Sequence, residues 1–228
     1  MTVALAHAAW PDAERAATGA VLAVPVGSTE QHGPHLPLST DTDIAVALVQ
    51  RLAACRPHVV AAPAIAYGSS GEHAGFAGTL SIGQEAIELL LVELCRSASA
   101  TFDRVLLIST HGGNRTAVLR AEGRLRAEGR DVRAAFPSWA GDAHAGRIET
   151  SLMLALHPDR VRIARAAAGA TAPLRDLLPR LVARGVRDVS ANGVLGDPTG
   201  ASAAEGRELL SRADEQLLGA LDGWPGAA

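Results

Sequence analysis

Four short apolar runs rich in β-branched residues recur along the chain, and each is bounded by glycine, proline or polar residues. Runs of this length and composition are typical of buried strands. The predicted strands are Val21–Val26, Val59–Pro63, Arg104–Ile108 and Val132–Phe136.

Longer segments with apolar residues at helical spacing lie between and after these runs. The predicted helices are Asp43–Ala54, Gln84–Ala100, Arg115–Glu128, Glu149–Leu156 and Ala203–Leu221. Alternating strands and helices are typical of parallel βαβ units. We therefore predict an α/β protein: a single-domain layered fold, residues 1–228, with a mostly parallel sheet flanked by helices.

The composition is that of an ordinary globular protein, with 48% hydrophobic and 20% charged residues in a chain of 228 residues. The net charge of −3 and the scattered arginines make nucleic acid an improbable partner. No apolar run is long enough to span a membrane, and the N-terminal segment lacks the basic region of a signal peptide. These features predict a cytoplasmic protein with no membrane partner.

Chemically capable side chains are concentrated in the segments that follow the four predicted strands. The carboxyl ends of parallel strands meet at one edge of a sheet, so we expect these segments to converge on a single site. They are GSTEQHGPHLPLSTD, AYGSSGEHAGFAGT, STHGGN and SWAGDAHAGRIET.

The first of these segments has the spacing of a metal site. Glu30 and His32 are two residues apart, so in an extended segment their side chains point to the same side. Asp41 follows a turn made by two prolines and is able to bridge two ions. His111, after the third strand, and Glu149, at the start of a helix, complete a set of two histidines and three carboxylates.

The charge of this set predicts the number of ions. Three buried carboxylates around one divalent cation would leave uncompensated negative charge, whereas two divalent ions and a bridging hydroxide balance them. Mixed nitrogen and oxygen donors favour Zn, Fe or Mn over Mg or Ca, and the absence of a cysteine cluster argues against a structural zinc site. Such a centre favours hydrolysis.

Other polar residues in the same segments suggest supporting roles. His144 is not needed as a ligand and is a candidate general acid that protonates a leaving amine. Glu72 and His73 are expected to orient ligands or bind substrate. Asp43 and Asn114 are interpreted as N-caps of the helices that follow them.

These segments resemble the creatininase (creatinine amidohydrolase) family in order and spacing. The motifs GSTEQHGPHLPLSTD, YGSSGEHAGFAGT, THGGN and DAHAGRIETS carry the resemblance. Two further segments, Tyr67–Gly83 and GVLGDPTGASAAEGR, resemble the branch of the family that acts as the mycofactocin precursor peptide peptidase.

The resemblance implies an α/β homo-oligomer that hydrolyses amide C–N bonds with a hydroxide bridging two metal ions. In the mycofactocin branch the substrate is a small modified precursor peptide whose C-terminal Val-Tyr has been altered by a radical enzyme. The peptidase releases the modified dipeptide, which becomes a redox cofactor.

Carried over by residue, the resemblance makes Glu30 and His111 ligands of one metal and His32 a ligand of the other. Asp41 corresponds to the bridging aspartate, and His144 to the proton-donating histidine. The segment THGGN departs from the creatininase pattern at Gly113.

Creatininase carries a ligating glutamate where this chain has Gly113, and we expect Glu149 to replace it. The glutamate that precedes the proton-donating histidine in creatininase is Ala143 here, so the creatinine pocket is not reproduced. Arg147 or Arg115 is a candidate for binding the carboxylate of a peptide substrate.

Two alternatives stay open at this point. One is a family member that acts on a small cyclic amide or a formamide, with the same metal chemistry and a different pocket. The other is a non-catalytic scaffold that metal ions stabilise, in which His144 would only pack.

Overall fold

A computed structural model describes residues 4–224 of the chain. Its strands lie close to the predicted ones, which confirms all four, with ends that differ by no more than two residues. They are β1 Val21–Val26, β2 Val59–Ala61, β3 Arg104–Ser109 and β4 Asp131–Ala135.

The described helices include the five predicted ones and three more. They are α1 Trp10–Ala17, α2 Thr40–Cys55, α3 Gln84–Ala98, α4 Arg115–Ala127, α5 Arg147–Leu156, α6 Leu174–Arg184, α7 Val186–Val189 and α8 Ala203–Asp222. Helices α1, α6 and α7 were not predicted.

The strands form one parallel sheet in the order β2-β1-β3-β4. Val21 of β1 pairs with Val59 of β2 on one side and with Arg104 of β3 on the other, and Arg104 pairs with Asp131 of β4. The predicted α/β layered fold is therefore correct. The predicted single domain also includes residues 1–3 and 225–228, which lie outside the described residues.

Helices cover both faces of the sheet and form two hydrophobic cores. Val21 and Ala23 of β1 pack in one core with α2, α5 and α8, whereas Leu22, Val24 and Val26 pack in the other with α3 and α4. Alternate residues of a strand face opposite sides, so a strand covered on both faces is apolar throughout. Packing on both faces therefore fixes the position of the strand ends from which the polar loops begin.

Asp43 is not the N-cap that the sequence suggested. Helix α2 begins three residues earlier, at Thr40, and Asp43 lies in its first turn. Its carboxylate accepts hydrogen bonds from the Ser39 hydroxyl and from Arg160 at 2.8 and 3.0 Å. The earlier start matters because it places Asp41 inside the first turn of α2.

Helix α6 escaped prediction because prolines interrupt its sequence. Pro179 lies inside it, where a proline removes one helical hydrogen bond, and Pro173 precedes its first residue. The helix ends at Gly185, which has a positive φ of 76°. Within residues 4–224, no helix has both the length and the apolar composition needed to cross a membrane.

Candidate metal centre

The loops after β1, β2 and β3 meet at the carboxyl edge of the sheet, where Asn114 joins them. Its side-chain nitrogen donates to the Gly27 carbonyl and its oxygen accepts from the Ser69 amide, each at 2.8 Å. Asn114 occupies the N-cap position of α4, as predicted, but its side chain makes no capping hydrogen bond. The residue instead holds two loops that carry polar side chains.

One group of three potential ligands lies between β1, α2 and β3. It consists of Glu30, Asp41 and His111, all buried. His111 Nδ1 is 3.3 Å from Asp41 Oδ2, and His111 Nε2 is 3.3 Å from Glu30 Oε2. His111 Nε2 also lies 2.8 Å from the Ser69 carbonyl, which can only accept, so Nε2 carries the proton and Nδ1 faces Asp41.

A second group lies beside the first and is held partly by α5. His32 Nε2 is 3.4 Å from Asp41 Oδ1 and 3.8 Å from Glu149 Oε2. His32 Nδ1 lies 3.1 Å from the Glu30 carbonyl and donates to it, which leaves Nε2 free to bind an ion. Asp41 thus directs one oxygen to each group, the arrangement that a bridging carboxylate requires.

Three ligand atoms of these groups have no hydrogen-bond partner among the described residues. They are both carboxylate oxygens of Glu30 and Nε2 of His32, and all three are buried. Buried polar atoms ordinarily have a partner, since leaving one unpaired costs about 1–3 kcal/mol. Unpaired carboxylate and imidazole atoms that converge are the donor set of a divalent transition metal, so the residues fit such an ion.

The electrostatics of the two groups attract positive charge. Burial alone would raise the pKa of Asp41, but His32 and His111 hold it well below its usual value. Burial likewise opposes protonation of His32, yet Asp41 and Glu149 raise the pKa of His32 to about 10. Burial raises the pKa of Glu149 to about 7 against the opposing effect of His32. Positive charge placed between Asp41 and Glu149 therefore stabilises the ionised form of both carboxylates.

Glu149 is positioned by an unusual turn at the start of α5. Ala145 has a φ of +52°, a conformation that is uncommon for residues other than glycine, and its N–H donates to Glu149 Oε2. Asp142 accepts a hydrogen bond from the first amide of α5, that of Arg147, at 2.6 Å. The turn thereby places both Glu149 and the preceding His144 at the site.

His144 lies beside the ligand groups with a defined orientation. Its Nε2 is 2.8 Å from the Gln31 carbonyl and carries the proton, since a carbonyl only accepts. Nδ1 is then 3.7 Å from Glu30 Oε1. Burial, with His32 and His73 nearby, holds the pKa of His144 well below its usual value. Neutral His144 therefore presents an unprotonated Nδ1 to the ligand groups.

Gln31 supports the site and was missed by the sequence analysis. Its amide nitrogen donates to the Gly193 carbonyl at 3.0 Å and to His73 Nδ1 at 2.8 Å. His73 therefore carries its proton on Nε2, which lies 3.4 Å from Glu30 Oε1. Glu30, His73 and His144 also form a group with metal-ligand spacing, and in this network the Nε2–H of His73 faces Glu30 without hydrogen-bonding to it.

The space beside Gly113 is filled by another carboxylate. A Cβ on residue 113 would lie 2.5 Å from Glu72 Oε1 and 2.2 Å from the Ser69 carbonyl, so no side chain fits there. Glu72 Oε1 is 3.8 Å from His111 Nε2, and burial raises the pKa of Glu72. Glu149, by contrast, lies on the His32 side. Glu72 therefore places a carboxylate next to Gly113, the position at which creatininase has a glutamate.

A cavity of about 450 Å³ opens above these groups. Glu30, Glu72, His73, His111 and His144 line its floor. Its opposite wall is apolar and comes mostly from α6 and the residues near it. Its lining residues there are Leu174, Leu178, Leu181, Val182, Val186 and Leu195.

The two arginines proposed to bind a substrate carboxylate have other partners. Arg147 Nε donates to both carboxylate oxygens of Glu205 at 2.9–3.0 Å, and the guanidinium of Arg115 lies 4.5 Å from the centre of the Phe136 ring. Neither lines the cavity. His35, the other histidine of the first motif, is buried and bonds through Nε2 to the Thr150 hydroxyl at 2.8 Å, away from both ligand groups.

Comparison with known proteins places this geometry in context. A family model described as creatinine amidohydrolase matches residues 6–221. A mycofactocin precursor peptide peptidase from Mycobacterium ulcerans is 50% identical over 210 residues, 88% of this chain and 84% of the relative. A creatinine amidohydrolase from Pseudomonas putida is 29% identical over 87% of each chain.

Solved structures of creatininases have the same fold. A creatininase described as an Mn form superposes with a TM-score of 0.83 at 26% identity, covering 99% of this chain and 100% of the other. A mutant creatininase of Zn-Zn type gives a TM-score of 0.84 at 25% identity, covering 99% of each chain. Mn and Zn are divalent metals, the class of ion that the donor set of this chain fits.

Proposed function

Because this chain belongs to the creatininase family, we propose that it is a metal-dependent peptidase that cleaves the mycofactocin precursor peptide and releases its modified C-terminal Val-Tyr dipeptide. Family membership makes the chain a hydrolase of C–N bonds. The peptide substrate is supported by identities of 50–51% to several mycofactocin precursor peptide peptidases, against 29% to a creatinine amidohydrolase.

The observation that carries the hydrolytic proposal is the set of unpaired, buried ligand atoms of Glu30 and His32, of which Glu30 lines the floor of a cavity. A non-catalytic, metal-stabilised scaffold would not need to expose such a centre to a cavity that holds a substrate. The cavity also brings His144 to the same floor.

We infer two divalent ions, one that Glu30, Asp41 and His111 would hold and one that His32 would hold with Asp41 and Glu149. His144 lies within ligand spacing of His32 and Glu149 as well. Ions of this class, when bound, polarise an amide carbonyl and lower the pKa of water. Glu149 thus supplies the carboxylate of the His32 side, while Glu72 fills the space beside Gly113.

His144 moves the proton in this proposal. Its Nε2 is fixed by the Gln31 carbonyl, so Nδ1 is the atom that accepts a proton from the attacking water and passes it to the leaving nitrogen. The backbone carbonyl of Gln31 fixes His144, and the side-chain amide of Gln31 fixes His73 beside Glu30. The apolar wall limits the access of further water to the reacting amide.

The test supplies modified precursor peptide and creatinine separately to protein loaded with Zn, Mn or Fe. The expected result is release of the modified dipeptide, detected by mass spectrometry, with no conversion of creatinine. The same incubation with Asp41→Ala protein controls for contaminating peptidases. Creatinine hydrolysis without peptide cleavage would instead support the small-amide alternative.

A further inference from the structure

One face of α6 presents large apolar side chains to the cavity instead of to a core. Leu174, Leu178 and Val182 are spaced four residues apart, so they lie along one stripe of the helix. Their exposures are 48%, 50% and 81%, and all three line the cavity. We call these three residues the α6 stripe.

The stripe is separate from the face by which α6 packs on the protein. Leu177 and Leu181 are buried in a small cluster with Val186 and Leu195, and Phe76 packs against it. Helix α6 is thus already anchored, and its remaining apolar face is free to contact a ligand. The position of the stripe is fixed relative to the cavity floor, because Leu181, Val186 and Leu195 also line the cavity.

The dimensions of the stripe correspond to a peptide. The eight residue steps from Leu174 to Val182 span about 12 Å at 1.5 Å per step. An extended chain covers that distance with about three to four residues. A ligand restricted to the cavity floor would leave Leu174 and Val182 in water.

The charges around the cavity point to the same class of occupant. Among residues 4–224, no arginine lines the cavity, and its charged carboxylates are on the floor. Arg180 of α6 is directed away from the stripe and pairs with Asp188 at 2.8 Å. The wall therefore offers contact to apolar side chains and no counter-ion to acidic ones.

We propose that the α6 stripe binds apolar side chains of an extended peptide segment of about three to four residues, adjacent to the amide that is cleaved. This inference rests on the proposed function and adds the class of peptide that the site accepts. Apolar contact, which scales with buried area, provides the affinity, and the floor provides the chemistry.

The first test compares Leu178→Asn and the double variant Leu178→Asn/Val182→Asn with the unaltered protein. Both positions are exposed, so the fold is retained. The KM for the precursor peptide should rise about tenfold in the double variant, while kcat and metal content are unchanged. Leu119→Asn, at a position on α4 that is 43% exposed and lies outside the cavity, is the matched control and should leave KM unchanged.

The second test measures binding without turnover, by calorimetry of the metal-loaded protein with a peptide in which a ketomethylene group replaces the scissile amide. The double variant should bind this peptide about tenfold more weakly, and Leu119→Asn should bind it normally. Weakened binding without any hydrolysis of the true peptide would remove the proposed function and leave the stripe assignment intact. Hydrolysis of the true peptide, with KM and affinity unchanged in the double variant, would keep the proposed function and overturn the stripe assignment.

Analytical sedimentation of the same proteins tests whether a second copy of this chain, and not a peptide, binds to the stripe. The expected result is the same assembly mass for the double variant and the unaltered protein. A smaller mass, with peptide KM unchanged, would identify the stripe as a contact between copies and overturn the proposal.

Discussion

The floor and the wall of the cavity are built in opposite ways. At and beneath the floor, Glu30, Asp41 and His111 are buried polar groups from separate segments, and hydrogen bonds to Ser28 and Ser69 hold Asp41 and His111 in place. The wall is mostly one helix, α6, whose cavity-facing side is apolar and which contacts the remainder of the protein through a small hydrophobic cluster. The proposed reaction chemistry therefore depends on many contacts at the floor, whereas the proposed contact with substrate side chains depends on a few residues of α6.

The largest effect is expected at the one residue that both ligand groups share. Asp41→Ala should abolish hydrolysis and remove metal from both groups, measured by elemental analysis of the purified protein. Asp43→Ala, two residues away and directed to Ser39 and Arg160, is the matched control and should keep both ions. Wild-type metal content in Asp41→Ala would contradict the shared-ligand assignment.

A change confined to one group should be less damaging. Glu149→Ala removes a carboxylate from the His32 side only, so one of two ions should be lost and the rate should fall by about 10³. Loss of both ions would show that the two groups do not bind independently, and an unchanged count would exclude Glu149 as a ligand.

His144 separates proton transfer from metal binding on the same floor. His144→Ala should retain both ions and lose about 10² in kcat, because Nδ1 no longer serves the leaving nitrogen. His157→Ala, at the C-terminal end of α5, provides the control. Full activity of His144→Ala would eliminate it from the mechanism.

Metal removal should produce the smallest of these effects, a change in stability. Dialysis against a chelator should lower the melting temperature by about 5 °C or more, because ions bound to the folded state stabilise it by mass action. Asp41→Ala protein should melt at the same temperature with and without chelator. Identical melting of wild-type protein in both conditions would argue against ions at the floor.

The floor was largely predictable from the sequence and the wall was not. Apolar runs in the sequence predict the strands, and the loops after β1 and β3 contain Glu30 and His111. Because the carboxyl ends of parallel strands meet at one edge of the sheet, the topology alone brings these two residues together. Helix α6 was missed because Pro179 interrupts its sequence and because its apolar residues lie on two sides, one packed in a core and one lining the cavity. Gln31 was missed because a lone amide has no distinctive chemistry until His73 and His144 are seen around it.

The side chain of Asn114 adds a link between the segments that follow β1 and β2, beyond the backbone hydrogen bond from Gly27 to Ile65. By donating to Gly27 and accepting from Ser69, it forms the equivalent of one rung of a β-ladder. A substitution that lacks either function leaves a buried peptide group unsatisfied, at a cost of about 1–3 kcal/mol. The spacing of the first two loops thus depends thermodynamically on a residue that belongs to neither and touches no ligand atom.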